Sequence, residues 1–245
     1  MSGVVHLVGA GPGDPKLITV AGLELLRTAD VVVHDALAGT ELLREARPDA
    51  ELFDVGKRGG HHNASQEEIN ALLVAEARKG KRVVRLKGGD PFLFGRGGEE
   101  AEELRAAGIE VHVVPGVTSA IAAPALAGIP VTHRDHASAV TFITGHEAAG
   151  SEGVDWAALA RLGGTLVILM GMSRLEENLA ALVENGLDPG TPAAAVHHAS
   201  TDEQRTVVAT VSTLARRCAT EGVGAPAVIV IGSVAALREA LGDLR

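Results

Sequence analysis

Arg82-Val83-Val84-Arg85-Leu86-Lys87-Gly88-Gly89-Asp90-Pro91-Phe92-Leu93-Phe94-Gly95-Arg96-Gly97-Gly98-Glu99-Glu100 joins a short apolar run to a glycine-dense turn that carries charges of both signs. The run reads as a short strand. Gly88 and Gly89 then let backbone amides approach a ligand that side chains would exclude. An ordinary strand-to-helix loop needs one or two glycines. Five between residues 88 and 98, together with Asp90 and Arg96, point to a binding turn.

The same design opens the chain. Val4-Val5-His6-Leu7-Val8 has a buried-strand pattern and runs into Gly9-Ala10-Gly11-Pro12-Gly13-Asp14-Pro15, after which Leu17 to Arg27 is helical. A second strand, Ala29 to His34, ends at Asp35, and a third, Glu51 to Val55, precedes Gly56-Lys57-Arg58. Ser65-Gln66-Glu67-Glu68 predicts a capping box at the start of a helix whose apolar positions are Ile69, Leu72, Leu73 and Ala77. Alternating strands and helices favour a mostly parallel sheet covered on both faces. Near Pro115-Gly116 the texture changes to small residues and prolines, up to Pro130. A second set follows, with strands at Val140–Ile143, Leu166–Met170, Ala193–His197 and Ala227–Ile231 and helices at Glu176–Asn185 and Thr213–Glu221. The expectation is an α/β protein of two domains with mostly parallel sheets, residues 1–115 and 116–245. No repeat with a period of 20 to 50 residues is visible.

Composition removes several classes. The 245 residues are 46% hydrophobic and 22% charged, which describes a compact globular chain able to bury a large core. No Tyr, four Phe and one Trp leave little for stacking on bases, and a formal charge of -9 offers phosphates no basic surface, so nucleic acid is not an expected partner. Cys218 stands alone, which excludes an intrachain disulfide, a CxxC redox pair and a thiolate zinc site. His61-His62 and His197-His198 lack paired ligands at suitable spacing, so no metal is expected. The apolar stretch from Val117 to Val131 is broken by Thr118, Ser119, Pro124, Gly128 and Pro130, and the start of the chain lacks a basic, cleavable signal. These features predict a cytoplasmic protein with no membrane partner.

The first glycine loop invites a dinucleotide reading, because Asp35 ends the next strand at about the distance of a ribose-binding acid. Its spacing disagrees. The loop is Gly-x-Gly-x-Gly, and Pro12 removes an amide that a pyrophosphate would use. A nicotinamide-dependent oxidoreductase therefore stays as an alternative only.

Taken together the loops resemble those of the tetrapyrrole methyltransferases, and within them the branch that methylates uroporphyrinogen III. The resemblance rests on Val8 to Pro15, Arg85 to Phe92 and Gly95 to Glu100. It continues through Gly56-Lys57-Arg58, Val114 to Ala120, Gly128-Ile129-Pro130-Val131-Thr132-His133-Arg134-Asp135, Thr144-Gly145-His146, Leu169-Met170-Gly171 and Gln204-Arg205, in the family's order over nearly the whole chain. It implies a homodimer whose active site lies in a cleft between two α/β domains, with S-adenosylmethionine as methyl donor and S-adenosylhomocysteine as product. By this resemblance Asp35 takes the proton-acceptor position and Lys57 the proton-donor position. Pro12, Gly88, Gly89, Asp90, Leu93, Thr118, Ser119, Met170 and Ala199 take cofactor contacts. Arg58, Arg96, Glu99, His133, Arg134 and His146 take the tetrapyrrole, with Glu99 orienting Arg96. Read singly, Met170 is a core residue, Thr118 a turn hydroxyl, Asp35 a cap and Lys57 a surface amine.

The expected substrate is a polycarboxylate, so local charge must overcome a net negative chain. Lys57, Arg58, Lys87, Arg96, His133 and Arg134 supply it in the motif loops, and arginine forks suit carboxylates. One departure stands out: the family usually has Tyr-Asp-Arg around the catalytic acid, and here it is His34-Asp35-Ala36. A guanidinium that would meet the substrate is missing, and His61 and His62 are candidates to compensate. A sister methyltransferase acting on a later corrinoid precursor or on a protein residue, and a non-catalytic tetrapyrrole carrier, remain open alternatives at this point.

Overall fold

The computed structural model describes residues 3–36, 39–56, 64–146 and 153–245. The chain separates into two compact units, Met1–Thr118 and Ser119–Arg245.

In the first unit the strands are β1 (Val4–Gly9), β2 (Val31–His34), β3 (Glu51–Asp54), β4 (Arg82–Lys87) and β5 (Glu110–Val114). The helices are α1 (Val20–Thr28), α2 (Thr40–Leu43), α3 (Gln66–Arg78) and α4 (Gly97–Ala106). The sheet order is β3-β2-β4-β1-β5, and every pairing is parallel. Parallel strands need crossovers, and the helices supply them on both faces. Val5, Leu7, Val31, Val33 and Val83 pack against Ile69 and Leu73 of α3 and Leu104 of α4. The alternate residues Val8, Val32, Val84 and Leu86 pack against Leu26 of α1 and Leu42 of α2. Truncating a fully buried member such as Leu73 to Ala costs about 2–5 kcal/mol. Ser65 caps α3 reciprocally: its hydroxyl accepts from Glu68 N at 3.2 Å, and Glu68 Oε2 accepts from Ser65 N at 2.6 Å.

The second unit holds α5 (Ser119–Leu126), β6 (Val140–Thr144), α6 (Trp156–Leu162), β7 (Thr165–Leu169) and α7 (Leu175–Glu184). It continues with β8 (Pro192–His197), β9 (Arg205–Thr210), α8 (Leu214–Glu221), β10 (Ala227–Ile231) and α9 (Arg238–Leu241). Its sheet order is β6-β7-β10-β8-β9. Here the architecture is α/β as expected, but the sheet is mixed. β6 and β7 run parallel, whereas β10 is antiparallel to both β7 and β8, and β9 is antiparallel to β8. The 198–204 connection between β8 and β9 is too short for a crossover, so those two strands pair as a hairpin. Because β7 and β8 are both antiparallel to β10, the C-terminal ends of β6, β7 and β8 share one edge of the sheet. Ile168, Ala195 and Ile229 meet Leu179 and Leu182 of α7 and Leu214 of α8, while α5 packs on β7, β8 and β10.

Among the described residues, no helix is long and apolar enough to cross a membrane.

Candidate active site

In the first unit the chemistry gathers where β1, β4 and β5 end. The β1–β4 ladder runs as far as Gly9 opposite Lys87, and Ala10 N donates to Lys87 O at 2.7 Å. Beyond it Gly11 and Gly89 exchange backbone bonds, Gly11 N to Gly89 O at 3.2 Å and Gly89 N to Gly11 O at 2.7 Å. The two glycine loops are thus one backbone platform. Side chains are excluded from it: a Cβ on Gly9 would lie 2.5 Å from Gly116 Cα and 2.6 Å from Gly89 O. Asp90 ties the platform together, since Oδ1 accepts from Phe92 N at 2.8 Å and Oδ2 from Gly116 N at 2.9 Å. Pro12, Gly88, Gly89, Asp90 and Leu93 therefore belong to one cluster, with Thr118 two residues beyond Gly116. Phe92 and Phe94 are the exposed apolar side chains of this loop.

This loop chemistry disfavours a pyrophosphate cradle. The Gly11 amide is already engaged and Pro12 has none. Moreover, α1 starts only at Val20, where Thr19 Oγ1 accepts from Gly22 N at 3.1 Å, and the single 3-10 turn Pro15–Leu17 that follows the glycines is capped by Asp14, whose Oδ1 accepts from Lys16 N at 2.9 Å, so no α-helix N-terminus opens on the glycines.

Beside the platform lies a layer of charge that sequence reasoning did not assemble. Along β4, Val83, Arg85 and Lys87 alternate onto the face covered by α3 and α4; the first is core, and the other two are charged and buried. Arg85 Nη2 donates to Asp35 Oδ1 at 2.6 Å, and Arg85 Nε donates to Glu100 Oε1 at 3.2 Å. Lys87 Nζ reaches the same Glu100 oxygen at 2.9 Å, and Gln66 Nε2 donates to it at 3.2 Å. Asp35, which follows β2 and is 31% exposed at its side chain, is the end of this network that meets solvent. Burial pushes the Lys87 amine below its usual range, with a smaller push from Arg85, against the opposing pull of Glu100 and Asp35. Lys87, expected to meet the substrate's carboxylates, is instead committed inward with a side chain only 4% exposed. A charged residue inside the apolar run Val83-Val84-Arg85-Leu86 was the available signal for Arg85.

Arg96 and Glu99 pair at the surface. Arg96 Nε lies 3.1 Å from each Glu99 carboxylate oxygen and Nη2 lies 2.5 Å from Oε2, with both side chains 55% exposed. The hydrogen bond with Glu99 raises the guanidinium's pKa, and the same bond lowers that of the carboxylate. Lys57, Arg58, His61 and His62 lie outside the described residues.

In the second unit, the loops after β6 and β7 run side by side. Gly145 N donates to Leu169 O at 2.7 Å, a Cβ on Gly145 would lie 2.3 Å from Gly171 Cα, and the buried Asn178 donates to Gly145 O at 3.3 Å. The exposed His146 and the half-exposed Met170 are therefore brought together. Ala199 follows β8 at the same sheet edge and is buried, and Ser119 opens α5. His133 forms a tight turn, exchanging backbone bonds of 2.9 Å with Ala137 and leaving Arg134 exposed at its tip.

Backbone strain marks the same segments independently. Among the described residues the non-glycine residues with positive φ are Phe94 (54°), Arg96 (59°), Met170 (55°), His198 (44°) and Ser200 (68°). All five fall in the glycine-rich turn, the 169–171 loop, or on either side of Ala199. Such conformations cost about 1–3 kcal/mol each and concentrate at ligand sites. Among the described residues no group of three or more His, Cys, Asp or Glu could hold a metal ion.

Comparison with known proteins shows the family of the chain. The model of the tetrapyrrole (corrin/porphyrin) methylases matches residues 4–215. The chain is 51% identical to an S-adenosyl-L-methionine-dependent uroporphyrinogen III methyltransferase of Methanosarcina barkeri, over 99% of this chain and 96% of the relative. It is 52% identical to a siroheme synthase of Chromobacterium violaceum, of which it spans about half, 51%. Among solved structures, uroporphyrin-III C-methyl transferase from Thermus thermophilus complexed with S-adenyl homocysteine superposes with a TM-score of 0.82 at 41% identity, covering 96% of this chain and 100% of that one.

Proposed function

As this chain belongs to the tetrapyrrole (corrin/porphyrin) methylases, we propose that it methylates uroporphyrinogen III at two pyrrole carbons, C2 and C7, giving precorrin-2 by way of precorrin-1. The observation that carries the reading is the 51% identity, along almost the full length of both chains, to an S-adenosyl-L-methionine-dependent uroporphyrinogen III methyltransferase.

The residues present suit S-adenosylmethionine as the donor. At Gly9 and Gly116 the platform has no room for a Cβ, and Gly89 has a left-handed backbone with φ 66°, so a ligand there meets backbone. Pro12, Gly88, Gly89, Asp90, Leu93, Thr118, Ser119, Met170 and Ala199 would hold it. Both Asp90 oxygens already accept backbone amides, so its main task is to keep the platform in shape, with lone pairs left over for the ligand's donors. Met170, half exposed on a left-handed backbone, offers a polarizable surface to an adenine.

In each transfer the ring carbon attacks the methyl group as the carbon–sulfur bond breaks, and S-adenosylhomocysteine leaves with the bond's electron pair. The attacked carbon becomes quaternary, its pyrrole nitrogen supplies electron density, and a proton is lost elsewhere on the macrocycle. Asp35 accepts that proton and Lys57 serves as the proton donor. Arg58, Arg96, His133, Arg134 and His146 take acetate and propionate groups, and Glu99 holds the Arg96 fork in plane. Collinear placement of nucleophile, methyl and sulfur is the main source of rate.

We infer further that the protein is a homodimer in the cytoplasm, which predicts a light-scattering mass of about twice 25.1 kDa. Calorimetric titration tests the donor assignment. S-adenosylhomocysteine binds to parent and to Asp35→Asn alike, NADH binds to neither, and the variant turns over far more slowly than the parent. Tight NADH binding without S-adenosylhomocysteine binding would return the chain to the oxidoreductase reading.

A further inference from the structure

We propose that Arg85 is a positioning residue for methyl transfer: anchored from beneath by Glu100, its guanidinium fixes the Asp35 carboxylate through Oδ1 and leaves Oδ2 turned to the substrate. The inference rests on the function proposed above and adds to it a residue that does not touch the reacting atoms.

Geometry carries the argument. Arg85 is fully enclosed, and its three hydrogen bonds run to Asp35 at 2.6 Å, to Glu100 at 3.2 Å and to Val33 O at 3.4 Å. A guanidinium is planar, so the bonds from Nε to Glu100 and from Nη1 to Val33 O fix the plane in which an Nη2 N–H points at Asp35. Among the described residues no hydrogen bond engages Asp35 Oδ2.

The arrangement is poorly suited to being a stabilising ion pair. Arg85 and Lys87 share one oxygen of Glu100, while Glu100 Oε2 is buried and accepts no hydrogen bond among the described residues. A site selected for stability would place an apolar residue at position 85, like its neighbours Val83, Val84 and Leu86, because buried ion pairs seldom outperform well-packed hydrophobic groups. An orphaned buried carboxylate oxygen calls for a reason other than packing. Orientation of Asp35, the carboxylate of the network that reaches solvent, supplies that reason.

Glu100 in turn needs Lys87. Without the amine, a single fully buried carboxylate would face the Arg85 guanidinium with one charge-assisted bond and no other cation. The chain from Lys87 through Glu100 and Arg85 to Asp35 thus spans the strand, the first turn of α4 and the end of β2, three elements whose relative positions are set by the parallel sheet.

Steady-state kinetics of Arg85→Gln and Arg85→Lys with S-adenosylmethionine and uroporphyrinogen III tests this. Each variant is first shown to be folded by an unchanged affinity for S-adenosylhomocysteine. For Arg85→Gln, kcat falls about 100-fold, the scale of a misplaced reacting group, while KM for both substrates stays within about twofold. Arg85→Lys, which keeps the charge but not the fork, recovers part of that loss. Arg85→Lys alone decides the matter if Arg85→Gln does not fold. A folded variant of either kind with the parent's kcat, or one whose defect lies wholly in KM, overturns the inference and leaves the function standing. A parent that forms no methylated tetrapyrrole overturns both.

Discussion

The carbonyl oxygen of Gly89 occupies the space in which Gly116 would place a side chain, 2.2 Å from a Cβ built there. This contact welds the turn after β5 to the turn after β4, and Gly89 is also paired with Gly11 after β1. Three strand ends of a parallel sheet are thereby fused through backbone alone, which is the position where open α/β sheets bind their ligands.

Gly116→Ala should therefore strain the site. The colliding atom is backbone and has no rotamer into which to escape, so stability falls by about 1–3 kcal/mol, the usual cost of overpacking. Denaturant unfolding reads that loss, and S-adenosylhomocysteine affinity falls with it. Gly98→Ala is the control, because a Cβ there meets nothing within 4 Å.

Asp90→Ala removes the acceptor of two backbone amides, those of Phe92 and Gly116. The expected cost is about 1–3 kcal/mol, as for unsatisfied donors. Donor affinity drops more than tetrapyrrole affinity, as separate titrations would show. Asp90→Asn keeps one acceptor oxygen and lies between the two.

Replacing Asp35 with Asn keeps the shape of the side chain and removes its ability to take a proton. Turnover falls by roughly 10²–10⁴-fold, the range of general acid–base catalysis, with S-adenosylhomocysteine affinity preserved. Rapid-quench assays of single turnover measure it.

Arg96→Ala separates binding from stability. Its pair with Glu99 is half exposed on both sides, so the melting temperature hardly moves. KM for uroporphyrinogen III rises, and KM for S-adenosylmethionine does not.

Acid sensitivity has a named source in Glu76. This nearly buried carboxylate is held below its usual range of 4.5 by hydrogen bonds from Lys79 and then Lys81, at 2.6 and 2.8 Å. Because the native pKa is the lower one, the stabilisation is complete above the unfolded value and is lost as pH falls through the folded value. Glu76→Gln should therefore cost about 1 kcal/mol at neutral pH, a deficit that closes as pH falls below about 4.5, so the variant's melting temperature falls less steeply in acid than the parent's.

Much of this organisation is legible in the chain because it is local. The apolar runs Val4–Val8 and Ala227–Ile231 are buried strands, and the Ser65–Glu68 capping box forms as its spacing predicts. The glycine loops are legible because close backbone approach admits no other residue. Two strands, β5 and β9, are not among those expected, since each lies at a sheet edge with several exposed or half-buried positions and no continuous apolar run. Gly97 and Gly98 read as the end of a turn and instead begin α4, where a Cβ on Gly97 would lie 2.3 Å from Pro91 O. The small residues after Val117 read as a change of texture and form α5, whose Ala120, Ala122 and Ala123 are buried without a distinct polar face. The charged layer of Asp35, Arg85, Lys87 and Glu100 was hidden for another reason. Its partners are far apart in sequence, and only the strand order brings β2, β4 and the start of α4 together.

The central claim is double methylation of one macrocycle, and counting methyl groups tests it most directly. With uroporphyrinogen III held reduced and S-adenosylmethionine labelled at its methyl group, the account predicts two labelled methyls per tetrapyrrole and one S-adenosylhomocysteine for each. A tetrapyrrole recovered without label, while the donor is intact or its methyl has gone elsewhere, would contradict it.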